Sequence, residues 1–180
     1  MPTVLPLWVD FVAVALLLES VCLVLFANTT VSSMISADEA EQVFSLNYAC
    51  YHFAICNFKT AFDLISNDYK FKDNYYDLTK RRLEIRIFFE LNEFELCNAR
   101  NEAFKNYLFT RTKKKKEDNF PATTFDPNNR FVNFVTTLLN LTKHDKAKIK
   151  AFYEKIIEIP AVAAQDWFLE NCPLFSFWYV

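Results

Sequence analysis

The chain of 180 residues contains no glycine. Glycine normally supplies the positive-φ positions of tight hairpins and the close backbone approach of phosphate-binding loops. Its absence argues against a nucleotide-binding loop and against a sheet-rich fold with many hairpins. It is compatible with helices that are joined by Asn, Asp and Pro.

Basic residues are absent from the first third of the chain. Residues 1–58 carry five carboxylates and no Lys or Arg, a charge of −5, whereas the whole chain has a net charge of −2. The remainder is therefore mildly basic. This asymmetry indicates two parts, an acidic and apolar head and a basic body.

Residue patterns of active sites and metal sites are also lacking. The five cysteines include no CxxC pair, which argues against a disulfide framework and a zinc site. His52 and Cys56 share a helix face without a third ligand, and His144 has no Cys partner nearby in sequence. We expect reduced thiols, with Cys50 and Cys97 in the core, and no cofactor, metal or enzymatic activity.

Apolar residues, in contrast, are abundant, at 52% of the chain with 20 Phe, so a large core is available. Their spacing is helical along the chain, and no segment shows the alternation of a strand. The pattern predicts four helices over about 37–54, 58–67, 74–91 and 94–111. A fifth helix is predicted to begin with Asp126 as N-cap and Pro127 at its first position, and a seventh covers 161–171. The sixth is predicted from an apolar stripe that includes Ile149, Phe152, Tyr153, Ile156 and Ile157. We therefore expect an all-α protein.

Two stretches 36 residues apart repeat one pattern of small, aromatic and polar residues. The first stretch is Ala49, His52-Phe53, Asn57-Phe58 and Ala61, and the second is Ile85, Phe88-Phe89, Glu93-Phe94 and Cys97. A helix-turn-helix unit of this kind cannot bury its apolar face alone, so copies stack. The repeat predicts antiparallel helix pairs stacked as a short α-solenoid.

These stretches resemble a known repeat family. Residues 43–68 resemble a tetratricopeptide (TPR) repeat and residues 77–110 resemble a second one, with Cys56 and Asn92 at the position where that pattern usually has Gly. Residues 41–172 are also similar to the C-terminal part of uncharacterised bacterial TPR-like proteins. The resemblance implies a TPR-like domain over 37–172 that acts as a cytoplasmic, non-enzymatic scaffold and binds a protein or peptide in its groove.

A basic cluster marks the candidate partner-binding residues, which are Lys80, Arg81, Arg82 and Arg86. In TPR-like grooves such side chains hold peptide carboxylates, and the other interpretation is a solvated polar face. The run Lys113–Lys116 precedes two acidic residues and has no interleaved aromatic residue, so nucleic acid is not an expected partner. Two repeats are few for a solenoid, which favours packing with a partner or a second copy.

The head, residues 1–36, contains an apolar run of 23 residues, Leu5–Ala27, interrupted by Asp10 and Glu19. One interpretation is a helix that caps the first repeat, followed by a linker. A second is a single-pass membrane anchor, since about 20 apolar residues span a bilayer, with the repeat domain in the cytoplasm. A third is a poorly ordered or non-native leader. The tail, residues 173–180, is apolar and aromatic.

Overall fold

The computed structural model describes residues 37–66, 71–112, 121–141, 145–159 and 161–172. Within these ranges the chain forms seven α-helices and no β-strand, which confirms the all-α prediction. The helices are α1 (Ala37–Ala54), α2 (Phe58–Ile65), α3 (Asn74–Glu90), α4 (Phe94–Thr112), α5 (Ala122–Asn140), α6 (Lys146–Glu158) and α7 (Gln165–Asn171). Stacking as a solenoid stays a prediction.

The chain divides into two compact units, and the boundary lies between Glu93 and Phe94, in the turn that follows α3. In the first unit α1 packs on α2, and α3 packs on both. In the second unit α5 packs on α4, and α7 packs on α6.

The core of the first unit is built around two small residues. Ala49 of α1 and Ala61 of α2 are fully buried, which lets the two helix backbones approach closely. The buried cluster is completed by Leu46, Ile65, Leu83 and Ile87. Burial of each such side chain contributes about 1.5–3 kcal/mol, so this cluster accounts for the pairing of α1 with α2 and for the docking of α3.

Helices α1 and α3 end in the same backbone conformation. Cys56 follows α1 with φ 59°, and Asn92 follows α3 with φ 61°. At both turns the amide of this residue donates to the carbonyl three residues back, at 3.0 Å. The next amide donates to the carbonyl five residues back, at 2.8 Å after α1 and 2.9 Å after α3. These bonds define a Schellman motif that is built without glycine.

An aromatic cluster forms the core of the second unit. Phe168 of α7 lies 5.4 Å from Phe131 and 5.5 Å from Phe134, between ring centroids, and Phe134 lies 5.5 Å from Phe152 of α6. The rings meet edge to face or tilted, the arrangements that aromatic pairs prefer. Helix α7 is therefore held by packing against α5 and α6.

The predicted start of α5 is wrong. The helix begins at Ala122, and Pro127 lies inside it. A proline at this position lacks the amide that would bond the carbonyl of Thr123. The earlier start is supported by tertiary packing, because it carries Phe125 to 6.1 Å from the Phe109 ring of α4, between centroids.

Two further predictions in the second unit are corrected. The last helix does not begin at residue 161 but at Gln165, because Ala161 and Ala164 have φ 56° and 57°, which a right-handed helix cannot contain. In α6 the apolar stripe is narrower than predicted, since Ile157 is exposed and Tyr153 is half-buried.

No helix in the described part of the chain combines the length and the hydropathy that crossing a bilayer requires. The run Leu5–Ala27, the tail 173–180 and the lysine run Lys113–Lys116 lie outside the described residues.

Candidate partner-binding site

The four predicted site residues lie on α3. This helix begins after Asp73, whose side chain accepts a hydrogen bond from the backbone amide of Tyr75 and so caps the helix. All four basic side chains are half-buried. They are Lys80, Arg81, Arg82 and Arg86. Their surroundings differ, and two of them, Arg82 and Arg86, act electrostatically on the same residue of α1.

Arg81 makes an ion pair along its own helix. Its Nε donates to Oδ2 of Asp77 at 3.0 Å, one helical turn earlier. Pairs of this kind stabilise a helix by about 0.3–0.5 kcal/mol. The pair anchors Arg81 to α3.

Arg82 and Arg86 are one turn apart on α3, and both act electrostatically on the Cys50 thiol of α1. The guanidinium carbon of Arg86 is 4.6 Å from the centre of the Phe53 ring, also on α1. Arg82 Nη2 donates to Oγ1 of Thr79 at 3.0 Å. The ring and the hydroxyl hold the two guanidinium groups in defined positions, so the cationic surface is preorganised.

The electrostatics of these residues reflect burial. Burial raises the pKa of the Cys50 thiol, and the positive charges of Arg86 and Arg82 oppose that rise. Burial also lowers the pKa of Arg82. The Arg82 guanidinium is thus held where water solvates it poorly, which is unfavourable for charge, and Arg86 adds a second positive charge one helical turn away. A carboxylate of a partner that reached them would form charge-assisted hydrogen bonds in a region of low dielectric.

The opposite end of the α1–α3 pair is acidic. Glu39 of α1 and Asp73 act electrostatically on the Tyr76 hydroxyl of α3, and its pKa is raised by burial first and then by Asp73, Tyr75 and Glu39. The surface shared by α1 and α3 therefore runs from carboxylates near the helix starts to guanidinium groups near their middle. Such a gradient orients a charged ligand.

The α1–α3 contacts also show the relative direction of the two helices. Glu39, near the start of α1, acts electrostatically on Tyr76, near the start of α3, and Phe53, near the end of α1, contacts Arg86 in the later part of α3. Helices α1 and α3 therefore run in the same direction. The two pairs are separated by 37 and 33 residues, close to the spacing of 36 in the sequence repeat.

Another candidate residue, His52, packs against aromatic side chains. His52 lies against the rings of Tyr48 and Tyr51, at 4.6 and 5.5 Å between centroids. In the described ranges no three His, Cys, Asp or Glu side chains come together as metal ligands. His144 lies outside the described residues.

Two neighbours of the arginines were not predicted as part of the site. Cys50 and Phe53 were interpreted as packing residues of the first repeat, and the arginines as a polar face of the second. The repeat spacing could have linked the two sets of residues, because Cys50 and Arg86 are 36 residues apart, which is the spacing of the sequence repeat. Stacked copies bring equivalent positions side by side, and this rule pairs the two residues.

Comparison of the chain with protein-family models, with curated proteins and with solved structures gave no match. The fold defines an all-α protein, and the functional interpretation rests on the site itself.

Proposed function

We propose that the protein is a non-enzymatic interaction module that binds an acidic segment of a protein partner on the α1–α3 surface. The observation that carries the proposal is that Arg86 of α3 lies over the Phe53 ring of α1, and that Arg82 and Arg86 both act electrostatically on Cys50 of the same helix. Lys80 and Arg81 lie on the same helix and add positive charge around this centre. The free cysteines, Cys50 among them, suit a reducing compartment such as the cytoplasm.

The repeat geometry supports this proposal. Helices α1 and α3 run in the same direction, and each ends in a Schellman motif with its left-handed residue at the same place in the repeat. Two parallel first helices of successive TPR-like repeats would present a shared surface of this kind. Helical-repeat proteins use such extended surfaces to bind other proteins.

Binding would combine charge with apolar contact. A carboxylate of the partner would pair with Arg82 and Arg86, and the acidic end near Glu39 would repel a segment bound in the reverse direction. Neighbouring aromatic side chains such as Tyr75, which is 68% exposed, would contact apolar residues of the partner. The charges set orientation and the apolar contacts supply affinity.

Selection of peptides by the full-length chain tests this function. A display library of random peptides is selected on the wild-type protein, with the double variant Arg82→Gln and Arg86→Gln used for counter-selection. The proposal expects enriched peptides with a carboxylate next to apolar residues. Selection that enriches no acidic residue, or recovers the same peptides on both proteins, overturns it.

A further inference from the structure

Helix α1 is apolar on two opposite sides. One side carries the buried residues Leu46 and Ala49, which pack on α2 and α3. The other side leaves Phe44, Tyr48 and Ile55 exposed, at 55%, 45% and 47%. These three are four and seven residues apart, and that spacing places them along one line of a helix. We refer to this second side as the aromatic strip, and it consists of Phe44, Tyr48, Tyr51, His52 and Ile55.

The rings of the aromatic strip touch one another. Phe44 and Tyr51 each lie 6.0 Å from Tyr48, and His52 lies 4.6 Å from it, between ring centroids. The strip is therefore a continuous aromatic surface. Exposed apolar patches of this kind mark sites where another surface binds.

His52 gives the strip two polar atoms that need hydrogen-bond partners. Both of its ring nitrogens are buried, and neither has a hydrogen-bond partner among the described residues. A buried polar atom without a partner is unfavourable by about 1–3 kcal/mol. A segment that covers the strip would satisfy His52 if it brought an acceptor such as a carboxylate.

We propose that the apolar run Leu5–Ala27 of the same chain packs on the aromatic strip of α1. Nine residues, 28–36, separate the run from α1 and can span up to about 30 Å. Helix α1, with its 18 residues, is about 27 Å long. The run can therefore fold back along the whole helix, and as a helix of 23 residues it would be longer than the strip.

The charges of the run favour this occupant over a membrane and over a second copy. The run contributes Asp10 and Glu19, which are acceptors for a His52 N–H. It lacks flanking Lys or Arg, and such residues are what binds a segment to anionic lipid. Attachment to the same chain also gives it an effective concentration in the millimolar range, well above that of a second copy at ordinary dilution. This inference concerns a different side of α1 from the proposed partner site, so the two stand or fall separately.

Hydroxyl-radical footprinting of the wild-type, full-length chain tests the inference without any substitution. Tyr48 and Tyr75 are both exposed tyrosines in the first unit, at 45% and 68%. At a dilution where sedimentation shows a monomer, we expect Tyr48 to be oxidised several-fold more slowly than Tyr75. Similar rates overturn the inference, as does protection of Tyr48 that appears only in a dimer or only with lipid vesicles.

A reciprocal experiment uses amide hydrogen exchange of residues 5–27. We expect exchange at least about ten-fold slower than in an unstructured chain, and loss of that protection in the double variant Phe44→Ser and Tyr48→Ser. The matched control, Tyr75→Ser, removes an exposed ring of α3 that is not part of the strip and should leave the protection unchanged. Protection absent from the wild type, or retained in the double variant, contradicts the inference, and peptides of α2 and α3 report whether the unit stays folded.

Discussion

Cys56 and Asn92 occupy the same left-handed position at the ends of α1 and α3, with φ 59° and 61°. Each residue is followed by one further residue before the next helix begins, at Phe58 and Phe94. The same pair of backbone hydrogen bonds closes both turns. The chain thus repeats a turn geometry that usually relies on glycine, although it contains no glycine.

The backbone conformation of Cys56 is strained, because a left-handed conformation is unfavourable for a residue with a Cβ by about 1–2 kcal/mol. We predict that Cys56→Gly raises the free energy of unfolding by about 0.5–1 kcal/mol, less than the full strain since glycine also gains entropy in the unfolded chain. Asn92→Gly should have a smaller effect, because Asn tolerates this region better. Urea denaturation measures both.

The control for this prediction is Ala99→Gly on the exposed side of α4, which should lower stability by about 1 kcal/mol. If Cys56→Gly lowers stability as Ala99→Gly does, the left-handed turn is not the constraint that we describe.

A buried amide connects α4 with α5 in the second unit. Asn101 Nδ2 donates to the carbonyl of Val132 at 2.9 Å and to Oγ1 of Thr136 at 3.0 Å. We predict that Asn101→Ala lowers the free energy of unfolding by about 1–3 kcal/mol, because two hydrogen bonds between α4 and α5 are lost from a buried site. Asn98→Ala, at an exposed position of the same helix, should change it by less than about 0.5 kcal/mol. Equal effects in thermal or urea unfolding would show that the bridge is unimportant.

The Cys97 thiol should make stability depend on alkaline pH. Burial raises its pKa from 9.0 to about 12, so the folded protein keeps the proton that the unfolded chain loses above pH 9. The unfolded state then binds fewer protons, and stability must fall as pH rises from about 9 to about 12. Urea midpoints across this range measure the fall.

Cys97→Ala isolates the contribution of this thiol, since Ala61 occupies the equivalent buried position 36 residues earlier. We expect a shallower decline of stability between pH 9 and pH 12 in the variant. Parallel pH profiles for the variant and the wild type would refute the assignment to Cys97.

Helix positions in the first unit could be predicted because local signals agree there. Apolar periodicity and the turn at Asn57 placed α1 at 37–54, the range observed. The start of α5 could not be predicted, because Pro127 is a strong local signal for a helix start and the contact that overrides it, Phe125 with Phe109, joins residues far apart in sequence.

The candidate site was predicted only in part for a similar reason. The sequence identified the basic residues of α3 but not their neighbours in the folded unit. Arg81 and Arg82 are adjacent, yet Arg81 pairs with Asp77 and Arg82 interacts electrostatically with Cys50 of α1. Helix rotation relative to a neighbour depends on the packing of the whole unit, and residue spacing alone does not determine it.

The affinity of a selected acidic peptide for the full-length chain tests the proposed function most directly. Isothermal titration should show that Arg82→Gln with Arg86→Gln weakens binding by about ten-fold or more, since loss of charge-assisted hydrogen bonds is unfavourable by about 1.5–3 kcal/mol. Lys59→Gln, which removes an exposed charge from α2, should leave the affinity nearly unchanged. Equal affinities for the wild type and the double arginine variant would contradict a partner site at Arg82 and Arg86.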